Sequence, residues 1–157
     1  MTDKLITINY QEFSSMDELN AEDRELAQAA IEGMKGSYAP YSHFNVGAAV
    51  RMSNGQIVRG ANQENAAFPS GLCAERTAMF AAGAKYPDKE MRSLALAGGI
   101  YGRITDEPAT PCGACRQVMA QYQAKAGAPM SIIMVGAKKI WKFEKVDDIL
   151  PLIFDSI

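Results

Sequence analysis

With 157 residues, 48% of them apolar, the chain suits one globular domain able to bury about two thirds of the surface its unfolded form would expose. Its net charge of -2, from 16 basic and 18 acidic side chains, includes no Lys and Arg cluster that could follow a phosphate backbone, which argues against a polynucleotide partner. Three cysteines cannot all pair within one chain, and no charged-then-apolar leader or bilayer-length apolar run occurs, so a cytoplasmic, reducing setting without membrane contact is expected.

In chain order, Leu5 to Tyr10 is β-prone, with Ile6, Ile8 and Tyr10 alternating as on one face of a short strand. Asn20 is placed to cap a helix, with Asp23 at its third position, and Leu26, Ala29, Ala30, Ile31 and Met34 recur at helical spacing until Gly36. An aromatic loop follows over Ser37 to Phe44. Val46 to Met52 and Ile57 to Ala61 flank Ser53-Asn54-Gly55, and this spacing predicts a β-hairpin whose Asn-Gly pair supplies positive φ angles. Asn62 to Gly71 is polar and irregular. The alanine-rich run from Cys73 to about Ala84 reads as a second helix, Ser93 to Gly98 as a doubly buried strand, and Gly99 to Thr110 as a loop. A third helix is expected from Cys112 to about Lys125, strands at Ser131 to Val135 and Ile140 to Phe143, and a short helix over Val146 to Leu150 before Pro151. Helices alternating with strands predict a three-layer α/β/α domain on a mixed five-stranded sheet. Residues 1 to 20 read as an extension packed on a single domain spanning 21 to 157.

All the cysteines lie in two short stretches, Cys73-Ala74-Glu75-Arg76 and Pro111-Cys112-Gly113-Ala114-Cys115-Arg116. Cys112 and Cys115, at i and i+3, share one face of a helical turn, and Cys73 precedes its own helix, where the positive dipole end favours a thiolate. Three thiolates on one tetrahedral zinc leave a fourth position for water, the mark of a catalytic site. Glu75 is too near Cys73 in sequence to ligate easily but is placed to shuttle protons to and from that water. The order Cys-Ala-Glu, then Pro-Cys-x-x-Cys, fits the pattern of zinc nucleobase deaminases. Three thiolates give the ion a formal charge of -1, so that charge must be withdrawn. Two helix N-termini help, and Arg76 is positioned to donate to the sulfurs. Arg116 could share the task, the order between the two being left open by sequence.

Three further stretches complete a resemblance covering about Ala21 to Phe154: Pro40-Tyr41-Ser42-His43-Phe44-Asn45-Val46-Gly47-Ala48-Ala49, Asn62-Gln63-Glu64-Asn65-Ala66 and Cys112-Gly113-Ala114-Cys115-Arg116-Gln117-Val118. The chain resembles the small, homotetrameric, three-cysteine cytidine deaminases. The resemblance implies one zinc ion per subunit on Cys73, Cys112 and Cys115, with Glu75 as general acid and base. It further implies hydrolysis of cytidine and 2'-deoxycytidine to the uridines, with release of ammonia, in pyrimidine salvage. Phe44 would stack on the pyrimidine, Asn62 and Glu64 would hold the ribose 3'-hydroxyl, and the Ala74 backbone would meet the base. Neighbouring subunits would lend backbone near Ala66 and Phe68, and Phe154.

Read without the resemblance, Cys112 and Cys115 could be a redox pair or half of a structural zinc site, Phe44 a core residue, and Asn62 and Glu64 mere organisers of their loop. The single histidine, His43, is read as structural, because the site is complete without it. Two rival functions remain at this point. One is deamination of another aminopyrimidine nucleoside, such as a nucleoside antibiotic. The other is a non-catalytic module in which zinc, closed by a fourth protein ligand, holds two helices together.

Overall fold

The protein is described here by a computed structural model over residues 1–155. Ser156 and Ile157, the last residues of the expected domain, lie outside the described residues. The strands are β1 (Gln11–Phe13), β2 (Phe44–Met52), β3 (Ile57–Ala61), β4 (Met91–Ile100), β5 (Arg103–Ile104), β6 (Ser131–Val135) and β7 (Ile140–Phe143). The helices are α1 (Ala21–Gly33), α2 (Ala74–Lys85) and α3 (Gly113–Ala126). Strand order is β1-β7-β6-β4-β2-β3, with β5 paired to β4. Only β4 and β6 run parallel, joined by the crossover through α3, so the sheet is mixed.

Alternation along the central strands sorts the side chains into two layers. Ala48, Val50 and Met52 of β2, Leu94 and Leu96 of β4, and Ile132 and Met134 of β6 face α2 and α3. Ala49, Ala95, Ala97, Ile133 and Val135 face α1, which answers with Leu26, Ala27 and Ala30. The α1 face is lined with small residues, so α1 lies close: a Cβ on Gly47 would sit 2.1 Å from the Ala30 carbonyl. On the opposite face, a Cβ on Gly60 would be 2.3 Å from the Ala78 amide of α2. These contacts fix both helices against the sheet. Among the described residues, no helix is long and apolar enough to cross a membrane.

The expected helices are present, and Asn20 caps α1, its side-chain oxygen accepting from the Asp23 amide at 2.8 Å. The five expected strands are joined by two more, giving seven among the described residues. One is β5, which folds back on β4 through Tyr101 and Gly102, both at positive φ. The other is β1. The strand expected at Leu5 to Tyr10 forms instead at Gln11–Phe13, because the only edge offered there is β7, which Gln11 meets at Lys142, near the end of β7. Earlier residues run past the last partner, and β propensity without a partner edge makes no strand. Tyr10 is anchored by its ring instead, stacked 5.2 Å from Phe143 and edge-on to Trp141. In the β2–β3 hairpin only Gly55 has positive φ, so the connection is a three-residue loop and not a two-residue Asn-Gly turn. The expected helix over Val146 to Leu150 is a single 3-10 turn, Val146–Asp148.

Candidate active site

Cys73 and Cys112 are the residues immediately before α2 and α3, in extended conformation, and neither side chain caps its own helix. Both sulfurs are therefore left uncommitted at the positive ends of two macrodipoles. Cys115, one turn into α3, is fully buried and completes the group. The Cys73 and Cys112 sulfurs are 3.7 Å apart and those of Cys112 and Cys115 are 3.5 Å apart. Sulfurs bound at the usual zinc distance around a tetrahedron stand about 3.8 Å apart, so the cluster fits that ion without rearrangement. Among the described residues, no fourth His, Cys, Asp or Glu belongs to the group. A closed structural site would need one, so the geometry speaks against the scaffold reading.

Charge is arranged to match. The Cys73 thiol is pulled down to about 5, first by hydrogen bonding from Cys115 and then by Arg76 and Cys112. Cys115, the donor in that pair and a buried group, is pushed up correspondingly. Arg76 brings Nη2 to 3.7 Å from the Cys73 sulfur, while its Nε is buried with no hydrogen-bond partner. An unpaired buried N–H costs about 1–3 kcal/mol, a cost consistent with holding the guanidinium against an anionic sulfur cluster. Arg116 is engaged elsewhere: its Nε donates to the Pro111 carbonyl at 2.9 Å and Nη1 to the Ile149 carbonyl at 2.8 Å. The choice left open by the sequence thus falls to Arg76. Arg76→Ala is expected to weaken zinc retention and turnover by about 10- to 100-fold, as read by competition with a chromophoric chelator. Native retention in that variant would remove Arg76 from the site.

Glu75 is 4% exposed and sits two residues beyond Cys73, in the first turn of α2. Burial pushes its carboxyl up to about 7. A carboxyl poised there can both take and return a proton at neutral pH.

Above the cysteines opens a cleft of about 590 Å³ lined by Tyr41, Ser42, Asn62, Glu64, Phe68 and Leu72, among others, with Cys73 and Arg76 in its wall. Asn62 fastens the strand edges beneath it. Its oxygen accepts from Ser37 Oγ at 2.5 Å and the Val46 amide at 2.9 Å, and its Nδ2 donates to the Phe44 carbonyl at 2.8 Å. Glu64 accepts from the Tyr41 amide at 2.8 Å, from the Ser42 amide at 3.3 Å and from the Ser42 hydroxyl, a contact that leads in holding its carboxyl below the usual range. Both residues therefore organise the Tyr38–Phe44 loop while facing the cleft. Phe68 is 76% exposed, its ring edge-on to Tyr41 at 5.9 Å. Phe44, Ala66 and Ala74 do not line the cleft; the Phe44 ring lies over Gly98, Ala74 is buried, and Ala66 is exposed. Phe154 is 69% exposed, its carbonyl accepting from Gln117 Nε2 at 2.7 Å, and it does not line its own chain's cleft. His43 adopts a positive φ and stacks on Tyr101 at 5.0 Å, away from the sulfurs.

Tyr41, Ser42 and Leu72 were not singled out from the sequence as cleft residues. Their signal was the polar and aromatic character of the loops on either side of the hairpin, which says nothing of which faces inward.

Comparison with known proteins agrees with this geometry. The family described as the cytidine and deoxycytidylate deaminase zinc-binding region matches residues 20–128. A cytidine deaminase of Halalkalibacterium halodurans is 47% identical over 100 residues, covering 63% of this chain and 71% of that protein. A solved cytidine deaminase from Burkholderia pseudomallei superposes with a TM-score of 0.71 at 35% identity, covering 83% of this chain and 97% of its own. That of Mycobacterium tuberculosis gives 0.69 at 28% identity, covering 87% of this chain and all of its own. A sulfur triad at two helix mouths, a buried carboxyl beside it and a fold shared almost end to end have one common source: the chain belongs to the cytidine and deoxycytidylate deaminase zinc-binding family.

Proposed function

We propose that the protein hydrolyses cytidine and 2'-deoxycytidine, each with one water, to the corresponding uridine and ammonia. The observation that carries this reading is the placement of buried Glu75 beside three sulfurs gathered at one metal-sized point under an open cleft. Cys73, Cys112 and Cys115 would hold one zinc ion per subunit, and when bound the ion supplies water acidified enough to ionise near neutral pH. Glu75 takes the proton released by that water and delivers it to N3 of the ring, making C4 more electrophilic. Once the water oxygen has added to C4, Glu75 would take its second proton and pass it to the amine, so that the C4–N bond breaks, ammonia leaves and a C4 carbonyl remains. Arg76 stabilises the ionised sulfurs. Neither Ala74 nor Phe44 lines the cleft within one subunit; in this reading the Ala74 backbone, at the opening of α2, would meet the base and Phe44 would stack on it.

Asn62 and Glu64 offer an amide and a carboxylate at the cleft wall, a pair suited to a hydroxyl that donates and accepts. Directed at the 3'-hydroxyl, they would not distinguish ribose from 2'-deoxyribose. Phe68 lies exposed in the cleft wall, Ala66 is exposed two residues earlier, and Phe154 is exposed on its own subunit, which suits contributions to neighbouring sites in a homotetramer. Free thiols that must stay reduced for metal suit the cytoplasm, and the reaction suits pyrimidine salvage. Residues 1 to 20 form an extension to the deaminase domain that begins at residue 21.

The test is an ultraviolet assay of substrate loss on the zinc-loaded protein. Cytidine and deoxycytidine should turn over at similar rates, and free cytosine at least about 100-fold more slowly for want of the sugar contacts. Cytosine at the rate of cytidine would refute the sugar grip, and zinc bound without turnover of any of the three would refute the activity.

A further inference from the structure

We propose that Arg116 is a positioning residue that couples occupancy of the cysteine cluster to the ordering of the C-terminal segment over residues 149–154. The inference deepens the metal-site reading above and rests on it. Although Arg116 follows Cys115 directly, its guanidinium turns away from the sulfurs and joins two backbone carbonyls far apart in sequence, those of Pro111 and Ile149. Pro111 is buried and immediately precedes Cys112, so fixing its carbonyl fixes the peptide from which the exposed Cys112 thiol projects. Ile149 is 7% exposed and closes the 3-10 turn, with its own amide and that of Leu150 both donating to the Val146 carbonyl.

The next side chain, Gln117, takes hold of the same segment further on, at the Phe154 carbonyl. Consecutive residues of the first turns of α3 thus clasp the C-terminal segment at two points, but only Arg116 also holds the approach to a thiol. A planar guanidinium can serve two carbonyls at once, and a lysine ammonium on a flexible stem is a poor substitute. Whatever moves Ile149 must therefore pull on Pro111. Linkage makes the effect reciprocal: zinc that fixes Cys112 tightens the segment, and loosening the segment weakens hold on zinc.

The test compares the native protein with Arg116→Met, Arg116→Lys and Gln117→Ala. Zinc release to a chromophoric chelator and amide exchange at Ile149 and Leu150 are the readouts. Arg116→Met should release zinc about tenfold faster than native, with Arg116→Lys between the two and Gln117→Ala at the native rate. Stripping zinc from the native protein should speed exchange at Ile149 and Leu150, and in Arg116→Met exchange should already be fast and respond little. Native zinc release from folded Arg116→Met, whatever its melting temperature, would overturn the proposal and leave Arg116 a stabilising staple. Should that variant fail to fold, the native protein decides: exchange at Ile149 and Leu150 unchanged by zinc removal would overturn it. Neither readout requires turnover, so failure of the deaminase reading would appear separately, as a native protein that binds zinc and leaves cytidine intact.

Discussion

Glu75→Gln is expected to lower cytidine turnover by at least about 10⁴-fold while zinc content stays at the native level. The amide matches the carboxyl in shape and Glu75 is no member of the sulfur cluster, so the metal site should survive. What disappears is a group able to give and take protons near neutral pH. Each assisted transfer is worth about 10²–10⁴-fold, and the reaction needs a proton carried to the ring and another to the leaving amine. Metal analysis alongside the ultraviolet assay checks both halves of the expectation. Turnover within tenfold of native would take Glu75 out of the chemistry.

The same substitution has a stability signature in the metal-free protein. A carboxyl whose folded value is raised by burial, from 4.5 to about 7, binds its proton more tightly when folded. Its contribution is therefore full below about 4.5 and is lost as pH rises through about 7. Glutamine does not titrate. Metal-free Glu75→Gln should thus gain on metal-free native protein as pH rises from 5 to 8, by about 3 kcal/mol at most, read from urea midpoints. A difference that stays flat across that range would show that the buried charge is not what the native fold tolerates.

What was legible in the sequence were features fixed by local chemistry and by period. Asn20 announces α1 because its side chain satisfies an amide three residues on, and the two-faced core is written in the alternation of Leu94 and Leu96 with Ala95 and Ala97. Three cysteines in two clusters left few ways to build a site other than to bring them together. The features that escaped depend on partners distant in sequence. Leu5 to Tyr10 has the composition of a strand, yet pairing is decided by where β7 ends. Arg116 looked like a companion to the sulfurs, and its donors are instead taken by carbonyls, one of them supplied by Ile149. Glu64 could be seen as a polar loop residue, but not that it gathers the Tyr41 and Ser42 amides into the cleft wall.

Gly60→Ala is expected to destabilise the fold by about 3 kcal/mol, a large effect for one methyl group, and to loosen the metal site with it. An added Cβ would stand 2.3 Å from the Ala78 amide nitrogen and 2.7 Å from the Ala74 carbonyl oxygen. Both are backbone atoms of α2, so no side-chain rotation can make room, and the helix must move away from β3. Ala74 lies between Cys73 and Glu75, so any displacement of this turn carries a thiol and the Glu75 carboxyl with it. Gly113→Ala is the control, because a Cβ there meets nothing within 4 Å, although the position lies between two cysteines. Its stability should match or exceed the native value by up to about 1 kcal/mol, since alanine favours the helix. Urea midpoints on the zinc-free proteins separate fold from metal, and chelator competition then measures zinc retention. A Gly60→Ala protein within about 1 kcal/mol of native would mean that α2 is not held by contact with β3. The placement of Cys73 and Glu75 would then have to come from the loop that precedes them.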